Sequence, residues 1–193
     1  MNKLFITLIV SSCMHYGHAQ VTSGSEKFPF SELTIEPAVG TRLNTFLGNK
    51  NVQLSNLIQY NLTKRVGLIT HSVVSSDFKL NRATDVRQQY NIAFSQRIGI
   101  GTSFSTRRAS NAFFVLAGLK FSAYSGTLTN EQLPERLPFK TRSVTSDYGL
   151  MYNLKLGREK YFFSGRIYVP LKDGVAGIVE NANLEFGVGI RLK

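Results

Sequence analysis

Hydrophobic and polar residues alternate one by one along several stretches of this chain. In the C-terminal stretch NLEFGVGIRLK every second residue from Leu184 to Leu192 is apolar, and the stretches YGLMYNLKL and AFFVLAGLKFSAY repeat the pattern. A period of two is typical of β-strands, whose side chains point alternately to the two faces of a sheet. The pattern predicts eight strands, over about residues 31–44, 52–63, 66–76, 88–104, 112–124, 143–156, 161–170 and 182–192.

The stretch DVRQQYNIAFSQRIGIGTSF also fits a helical stripe, since Tyr90 and Phe94 lie four residues apart. However, Gly99 and Gly101 would each cost a helix about 1 kcal/mol, and apolar residues at even-numbered positions continue to the end of the stretch. We therefore predict one continuous strand over 88–104. Because about 9 to 11 residues suffice to cross a bilayer, one end of this strand is expected to protrude on the outer side.

Short and long connections alternate between the predicted strands. The short connections are TKR, TRRASN and GREK, and the long ones are SDFKLNRATDV, SGTLTNEQLPERLPFKTRS and KDGVAGIVENA. The exception is GNK, which is short although it follows the first strand, where a long connection is expected. This alternation is typical of up-and-down barrels of an outer membrane, which have short periplasmic turns and longer external loops.

The period of two alone does not tell which face of the barrel is outside. A water-soluble, lipocalin-like barrel would turn the apolar face inward around a small apolar ligand. The polar face here carries small residues such as Ala93, Ser95, Gly99 and Gly101, which suit the narrow interior of an eight-stranded barrel. The predicted fold class is therefore all-β, an up-and-down antiparallel transmembrane β-barrel of about eight strands with its apolar face toward lipid.

The N-terminus has the features of an export signal. The basic MNK, the apolar LFITLIVSS and the small residues Gly17 and Ala19 predict a signal peptide over 1–19 and a barrel domain over 20–193. The sequence VSSC also resembles a bacterial lipobox, so lipidation of Cys13 stays open. Cleavage after Ala19 would remove the only cysteine, which excludes disulfides and thiolate metal sites.

The chain is strongly basic, with a formal net charge of +11. A basic protein often binds nucleic acid, but export argues against that partner. Anionic lipid head groups and the phosphates of lipopolysaccharide fit better, and a solvated basic surface without a specific ligand is the alternative.

Nine charged residues fall on the face predicted to point inward. They are Glu36, Arg42, Arg97, Lys120, Asp147, Lys155, Arg166, Glu185 and Arg191. Buried charges must be paired or hydrated, and the first and last strands of a closed barrel are neighbours. We predict that Arg42 faces Glu185 near the outer end. Glu36 is predicted to face Arg191 near the periplasmic end. The stagger of the strands in a barrel could shift both pairs by a few residues.

Aromatic residues lie near both ends of the predicted strands, as expected for the two girdles of a membrane barrel. Those beside the short turns are Tyr60, Phe104, Phe113 and Tyr161, and those toward the long loops are Tyr90, Phe121, Tyr148 and Phe186.

His71 is the one histidine beyond the signal peptide, and Ser72, Ser75 and Asp77 lie close to it in sequence. A nucleophile and its base must be within hydrogen-bond reach, but on a strand His71 and Ser72 point to opposite faces. We expect His71 to be an inward hydrogen-bonding group and predict no catalytic residue, cofactor or metal site.

The signal peptide, the amphipathic strands, the basic short turns and the last strand LEFGVGIRL resemble the small outer-membrane β-barrel proteins of the porin-like superfamily. The resemblance covers nearly all of the mature chain. It implies a monomer in the outer membrane of a Gram-negative bacterium, in contact with outer-membrane lipid and lipopolysaccharide. It also implies delivery by periplasmic chaperones and the barrel-assembly machinery, although members of this class usually end on an aromatic residue and this chain ends on Lys193.

The class implies an architecture and leaves the activity open. We expect a non-enzymatic barrel with a filled interior and a structural or loop-binding role, presenting loops over Phe78–Val86 and Gly126–Ser143. The alternatives are a lipid-modifying enzyme that uses His71 and a soluble lipocalin-like binding barrel.

Overall fold

The structure is a computed structural model, and it describes residues 33–43, 51–77, 86–105, 109–128, 137–157, 160–171 and 181–192, with the backbone alone at 86–90 and 137. The predicted signal peptide and Cys13 lie outside this part of the chain. Eight strands are present, β1 Leu33–Arg42, β2 Asn51–Asn61, β3 Val66–Asp77, β4 Val86–Ser105, β5 Ala109–Leu128, β6 Leu137–Leu156, β7 Tyr161–Pro170 and β8 Asn183–Leu192.

The eight strands form one closed ring. Each strand pairs antiparallel with the next in sequence, and β1 pairs with β8 from Leu33↔Leu192 to Arg42↔Asn183. Ring closure leaves no strand edge around the barrel wall, so every strand there has hydrogen-bonding neighbours on both sides. The predicted eight-stranded up-and-down barrel is confirmed. In the described part of the chain, no helix is both long enough and apolar enough to cross a membrane.

The predicted faces of the strands are also confirmed. Ile98 and Phe186 are 68% and 61% exposed on the outside, whereas their chain neighbours Arg97 and Glu185 are buried inside. The outer surface is therefore apolar, and the inner one carries most of the polar and charged groups.

The interior is less uniformly polar than the sequence predicts. It contains an apolar cluster, which consists of Leu57, Ile69, Ala112, Phe114, Leu116, Met151 and Tyr168. Gly99 and Gly101 on β4 lie opposite Leu116 and Phe114 on β5, and a Cβ atom at Gly101 would collide with the Phe114 ring. Small residues on one strand thus make room for large ones on the next, which fills the interior at this level.

Three neighbouring strands are longer than the other five. β4, β5 and β6 each have 20 residues, whereas the others have 10 to 12. Residues 86–90, 125–128 and 137–148 continue past the last pairs of β4 with β3 and of β6 with β7. We call this three-stranded part the outer extension.

The predicted loop over Gly126–Ser143 is mostly strand, which corrects the sequence-based boundary. The β5–β6 hairpin continues to the pair Leu128↔Leu137, so the connection shortens to 129–136. Sequence alternation does not reveal these strand ends, because Pro138, Lys140 and Arg142 break the apolar pattern while backbone pairing with β5 persists.

Candidate functional site in the barrel interior

The two ends of the barrel differ. Leu33, Leu192 and the turns after β2, β4 and β6 lie at one end, and the longer connections after β1, β3, β5 and β7 lie at the other. We call the second end the outer mouth. The charged residues predicted to face inward lie at this mouth, in the middle of the barrel and toward the short turns.

Glu185 on β8 is the centre of the buried charge network. Its side chain is fully buried, and its Oε2 accepts hydrogen bonds from Ser55 Oγ at 2.6 Å and from His71 Nε2 at 3.2 Å. Arg166 Nε lies 3.3 Å from the same oxygen, because Arg166 and Glu185 are register partners on β7 and β8. One carboxylate therefore holds together groups from β2, β3 and β7.

His71 connects Glu185 to a second ion pair. Arg97 Nη1 lies 3.0 Å from His71 Nδ1, and a guanidinium can only donate. His71 Nδ1 is therefore the acceptor, so the ring proton sits on Nε2 and is donated to Glu185. Arg97 Nη2 in turn lies 2.7 Å from Asp147 Oδ2 on β6.

Tyr168 on β7 supports this second pair in two ways. Its hydroxyl donates to Asp147 Oδ1 at 2.7 Å, and its ring lies 3.9 Å below the Arg97 guanidinium carbon. The hydrogen bond satisfies Asp147 Oδ1, and the ring contact adds a cation–π interaction with Arg97 in a buried place. Sequence reasoning did not single out Tyr168, although its inward position follows from the period of two on β7.

Replacing Tyr168 with Phe should lower the free energy of unfolding by about 1 to 3 kcal/mol, because Asp147 Oδ1 loses its buried donor while the ring stays in place. Urea unfolding of the protein in lipid vesicles measures this change. Tyr148→Phe is the matched control, since the Tyr148 side chain is exposed on the outer face. Equal effects of the two substitutions would contradict a structural role for the Tyr168 hydroxyl.

A third ion pair lies on the side of the short turns. Lys155 Nζ is 2.5 Å from Glu36 Oε1 and donates to Gln59 Oε1 at 2.9 Å, and Asn153 Nδ2 donates to Glu36 Oε2 at 3.0 Å. The six charges of this network balance, as three cations face three carboxylates. The cations are Arg97, Lys155 and Arg166, and the carboxylates are Glu36, Asp147 and Glu185.

The two ion pairs predicted between β1 and β8 are wrong. The register places Gly40 opposite Glu185 and Thr34 opposite Arg191, two residues away from the predicted partners. Glu36 pairs with Lys155 instead, and the Arg191 guanidinium lies 5.2 Å from the centre of the Phe162 ring. Arg42 pairs with Asp77. The physical reason is that long side chains reach across a narrow barrel to strands that are not their neighbours.

Asp77 organises the outer mouth. It accepts hydrogen bonds from Asn51 Nδ2 at 2.5 Å and Asn91 Nδ2 at 2.6 Å, and Arg42 Nη1 lies 3.4 Å away. Next to this group lies a polar cavity of about 170 Å³, whose lining includes Arg42, Arg97, Lys120 and Asp147. The predicted inward residues Arg42 and Lys120 thus belong to the mouth rather than to the central network.

The structure does not place His71 and Ser72 in a catalytic arrangement. His71 is fully buried, and both of its ring nitrogens are occupied by Glu185 and Arg97. Ser72 lies on the opposite face, where its hydroxyl donates to Gln96 Oε1 at 2.6 Å. Within the described ranges, no group of three or more His, Cys, Asp or Glu residues could hold a metal ion.

The aromatic residues predicted for the two girdles lie on the outer surface where their side chains are described. These are Tyr60, Phe104, Phe113, Phe121, Tyr148, Tyr161 and Phe186. Phe113 packs against Tyr152 with ring centres 4.9 Å apart, and Phe94 stacks on Phe121 at 6.4 Å. The side chain of Tyr90 lies outside the described part of the chain.

A closed eight-stranded barrel with an apolar exterior and a filled, charged interior has the architecture of the small outer-membrane β-barrel proteins. The chain is similar to the solved N-terminal β-barrel domain of Pseudomonas aeruginosa OprF, with 18% identity, a TM-score of 0.43, and 83% of this chain and 97% of the other covered.

Two further solved structures are similar at the level of the fold. One is Ail, the attachment invasion locus protein of Yersinia pestis, in complex with the heparin analogue sucrose octasulfate, with 11% identity, a TM-score of 0.49, and 84% and 99% of the two chains covered. The other is Neisserial surface protein A, with 10% identity, a TM-score of 0.49, and 84% and 95% covered. Neither a family model nor a curated protein matches this sequence.

Proposed function

We propose that this protein is a non-enzymatic β-barrel of the outer membrane of a Gram-negative bacterium, with a structural or surface-binding role in the cell envelope. The observation that carries the proposal is the apolar outer surface, which runs around the ring through residues such as Val39, Leu54, Ile98, Val115 and Phe186. The largest apolar patch of a soluble monomer is about 300 to 600 Å². An apolar surface that surrounds the whole barrel fits the hydrocarbon core of a bilayer, where the closed ring also satisfies the backbone polar groups.

The filled interior supports a role that does not depend on a wide channel. Ion pairs and the apolar cluster occupy the space that a porin leaves open, and an eight-stranded barrel is only wide enough for its own side chains. Binding would then take place at the outer mouth and on the outer extension.

The outer extension also supports contact with lipopolysaccharide. Lys140 and Arg142 are exposed there, and cations at this height would face the phosphates of the outer leaflet. The exposed apolar face of the last strand, including Phe186 and Leu192, is the kind of surface that periplasmic chaperones and the barrel-assembly machinery would handle before insertion.

Fractionation with surface proteolysis tests the proposal. The protein should be found in the outer-membrane fraction and should migrate differently on gels before and after heating, as folded membrane barrels do. Trypsin added to intact cells should cleave after Arg136, in the connection 129–136, and should spare Arg107 and Arg108 in the short turn TRRASN.

Three other results would each contradict part of the proposal. A soluble protein without a heat-dependent shift would favour the lipocalin-like alternative. Cleavage at Arg107 or Arg108 with protection of Arg136 would invert the orientation. A change in lipid A mass that requires the protein and is lost in His71→Ala would support the enzymatic alternative.

A further inference from the structure

Among the described residues, the outer mouth of the barrel holds three cations, Arg42, Arg97 and Lys120, and two carboxylates, Asp77 and Asp147. Asp147 Oδ1 receives the Tyr168 hydroxyl and Oδ2 receives Arg97, while Asp77 is occupied by Arg42 and two asparagine amides. Lys120 has neither a hydrogen bond nor an ion pair with any described residue. Its side chain, on the inward face of β5, lines the cavity without a direct partner.

The cavity brings cations together from different walls of the barrel. Arg42 is at the end of β1, Arg97 is on β4 and Lys120 is on β5, and β1 and β5 lie on opposite sides of an eight-stranded ring. Asp147 is the one carboxylate among the described lining residues. Because Asp77 beside the cavity pairs with Arg42, these described groups together leave one net positive charge around a polar space.

The size of the cavity limits what can occupy it. A volume of about 170 Å³ is room for roughly five or six water molecules at about 30 Å³ each. This is enough for a tetrahedral oxyanion or a small carboxylate, but not for a lipid chain. Hydroxyls of Ser75 and Thr145 in the lining can donate hydrogen bonds to oxygen atoms of such a group.

We propose that the outer-mouth cavity is a binding site for a small oxyanion, a phosphate or a carboxylate group, with Lys120 as its main contact and Arg42 as the second cation. A charge-assisted hydrogen bond from Lys120 to the anion satisfies the ammonium group. Arg97 stays paired with Asp147 and contributes to the positive potential. This site goes beyond the proposed envelope role, because it assigns a ligand class to the inside of the barrel.

Isothermal titration calorimetry with inorganic phosphate tests this site on the full chain, refolded in an uncharged detergent and shown to be folded by its heat-dependent migration. Saturable binding of one phosphate per chain is expected. Lys120→Met should weaken binding by about tenfold to hundredfold, the effect of losing one charge-assisted hydrogen bond. Lys120→Arg should retain most of the affinity, and titration with acetate shows whether a carboxylate binds as well as phosphate.

Lys140→Met is the matched control, since Lys140 is exposed on the outer extension and should not affect phosphate binding. A thermal unfolding series adds a second readout. Phosphate should raise the unfolding temperature of the wild type by mass action, and Lys120→Gln should abolish this rise even if Lys120→Met fails to fold.

Two outcomes would overturn the proposal. One is the absence of saturable phosphate and acetate binding to the folded wild type. The other is equal weakening by Lys120→Met and Lys140→Met, which would place the anion on the outside of the extension. Because the measurements are made in detergent, neither outcome depends on where the protein resides in the cell.

Discussion

Replacing Glu185 with Gln should lower the free energy of unfolding by about 3 to 5 kcal/mol, the usual effect of removing one partner from a buried ion pair. Glu185 is fully buried, accepts hydrogen bonds from Ser55 and His71, and forms an ion pair with Arg166. The amide keeps the shape of the side chain but leaves the Arg166 guanidinium without a compensating charge. Urea unfolding in lipid vesicles measures the loss.

The double variant Glu185→Gln with Arg166→Met separates charge from packing. Removing both charges should recover part of the lost stability, because no Arg166 guanidinium is then left buried without its carboxylate. Asp77→Asn provides the comparison at the mouth, where the Asp77 side chain is 24% exposed and where a loss of only about 1 kcal/mol is expected. If the loss in the double variant equalled the sum of the losses in Glu185→Gln and in Arg166→Met alone, the two side chains would not form a coupled pair.

Replacing Ile98 with Lys should destabilise the barrel in a bilayer by about 2 to 4 kcal/mol, as for other lysines placed near the middle of the lipid-facing surface of a barrel. Ile98 is the position to use because its side chain is 68% exposed and it lies near the middle of the part of β4 that pairs with β3. Urea unfolding of the wild type and the variant in the same vesicles measures the difference.

Val144→Lys is the control for Ile98→Lys. Val144 is 60% exposed and lies on the outer extension, where water can reach a lysine, so an effect of about 0 to 1 kcal/mol is expected. If both substitutions left stability unchanged, the outer face would lie in water and the proposed membrane location would be wrong.

The strands and their faces could be predicted because a period of two is a local property. Ile98 and Arg97 differ by one position, and that alone places one outside and the other inside. The ends of β5 and β6 could not be predicted from this local pattern. Beyond Gly126 the two strands are held by backbone pairing with each other, and their side chains no longer alternate.

The contacts inside the barrel could not be predicted in the same way, because they depend on distances across the ring. Arg166 and Glu185 are neighbours in register and could be found once β7 and β8 were aligned. Lys155 and Glu36, in contrast, connect β6 with β1, and no pairing of adjacent strands reveals that contact. Ser55 is uncharged, so the sequence does not mark it as a partner of Glu185, although the period of two places it on the inner face.

The pair Leu33↔Leu192 means that the first strand, β1, and the last strand, β8, are hydrogen-bonded neighbours in space. A few linking residues would be enough to join them, because paired Cα atoms lie only about 4.5 to 5.5 Å apart. The ring therefore has no structural first strand. Its chain could be opened at an outer connection and closed at this pair, giving a circular permutant in which every inter-strand bond is kept.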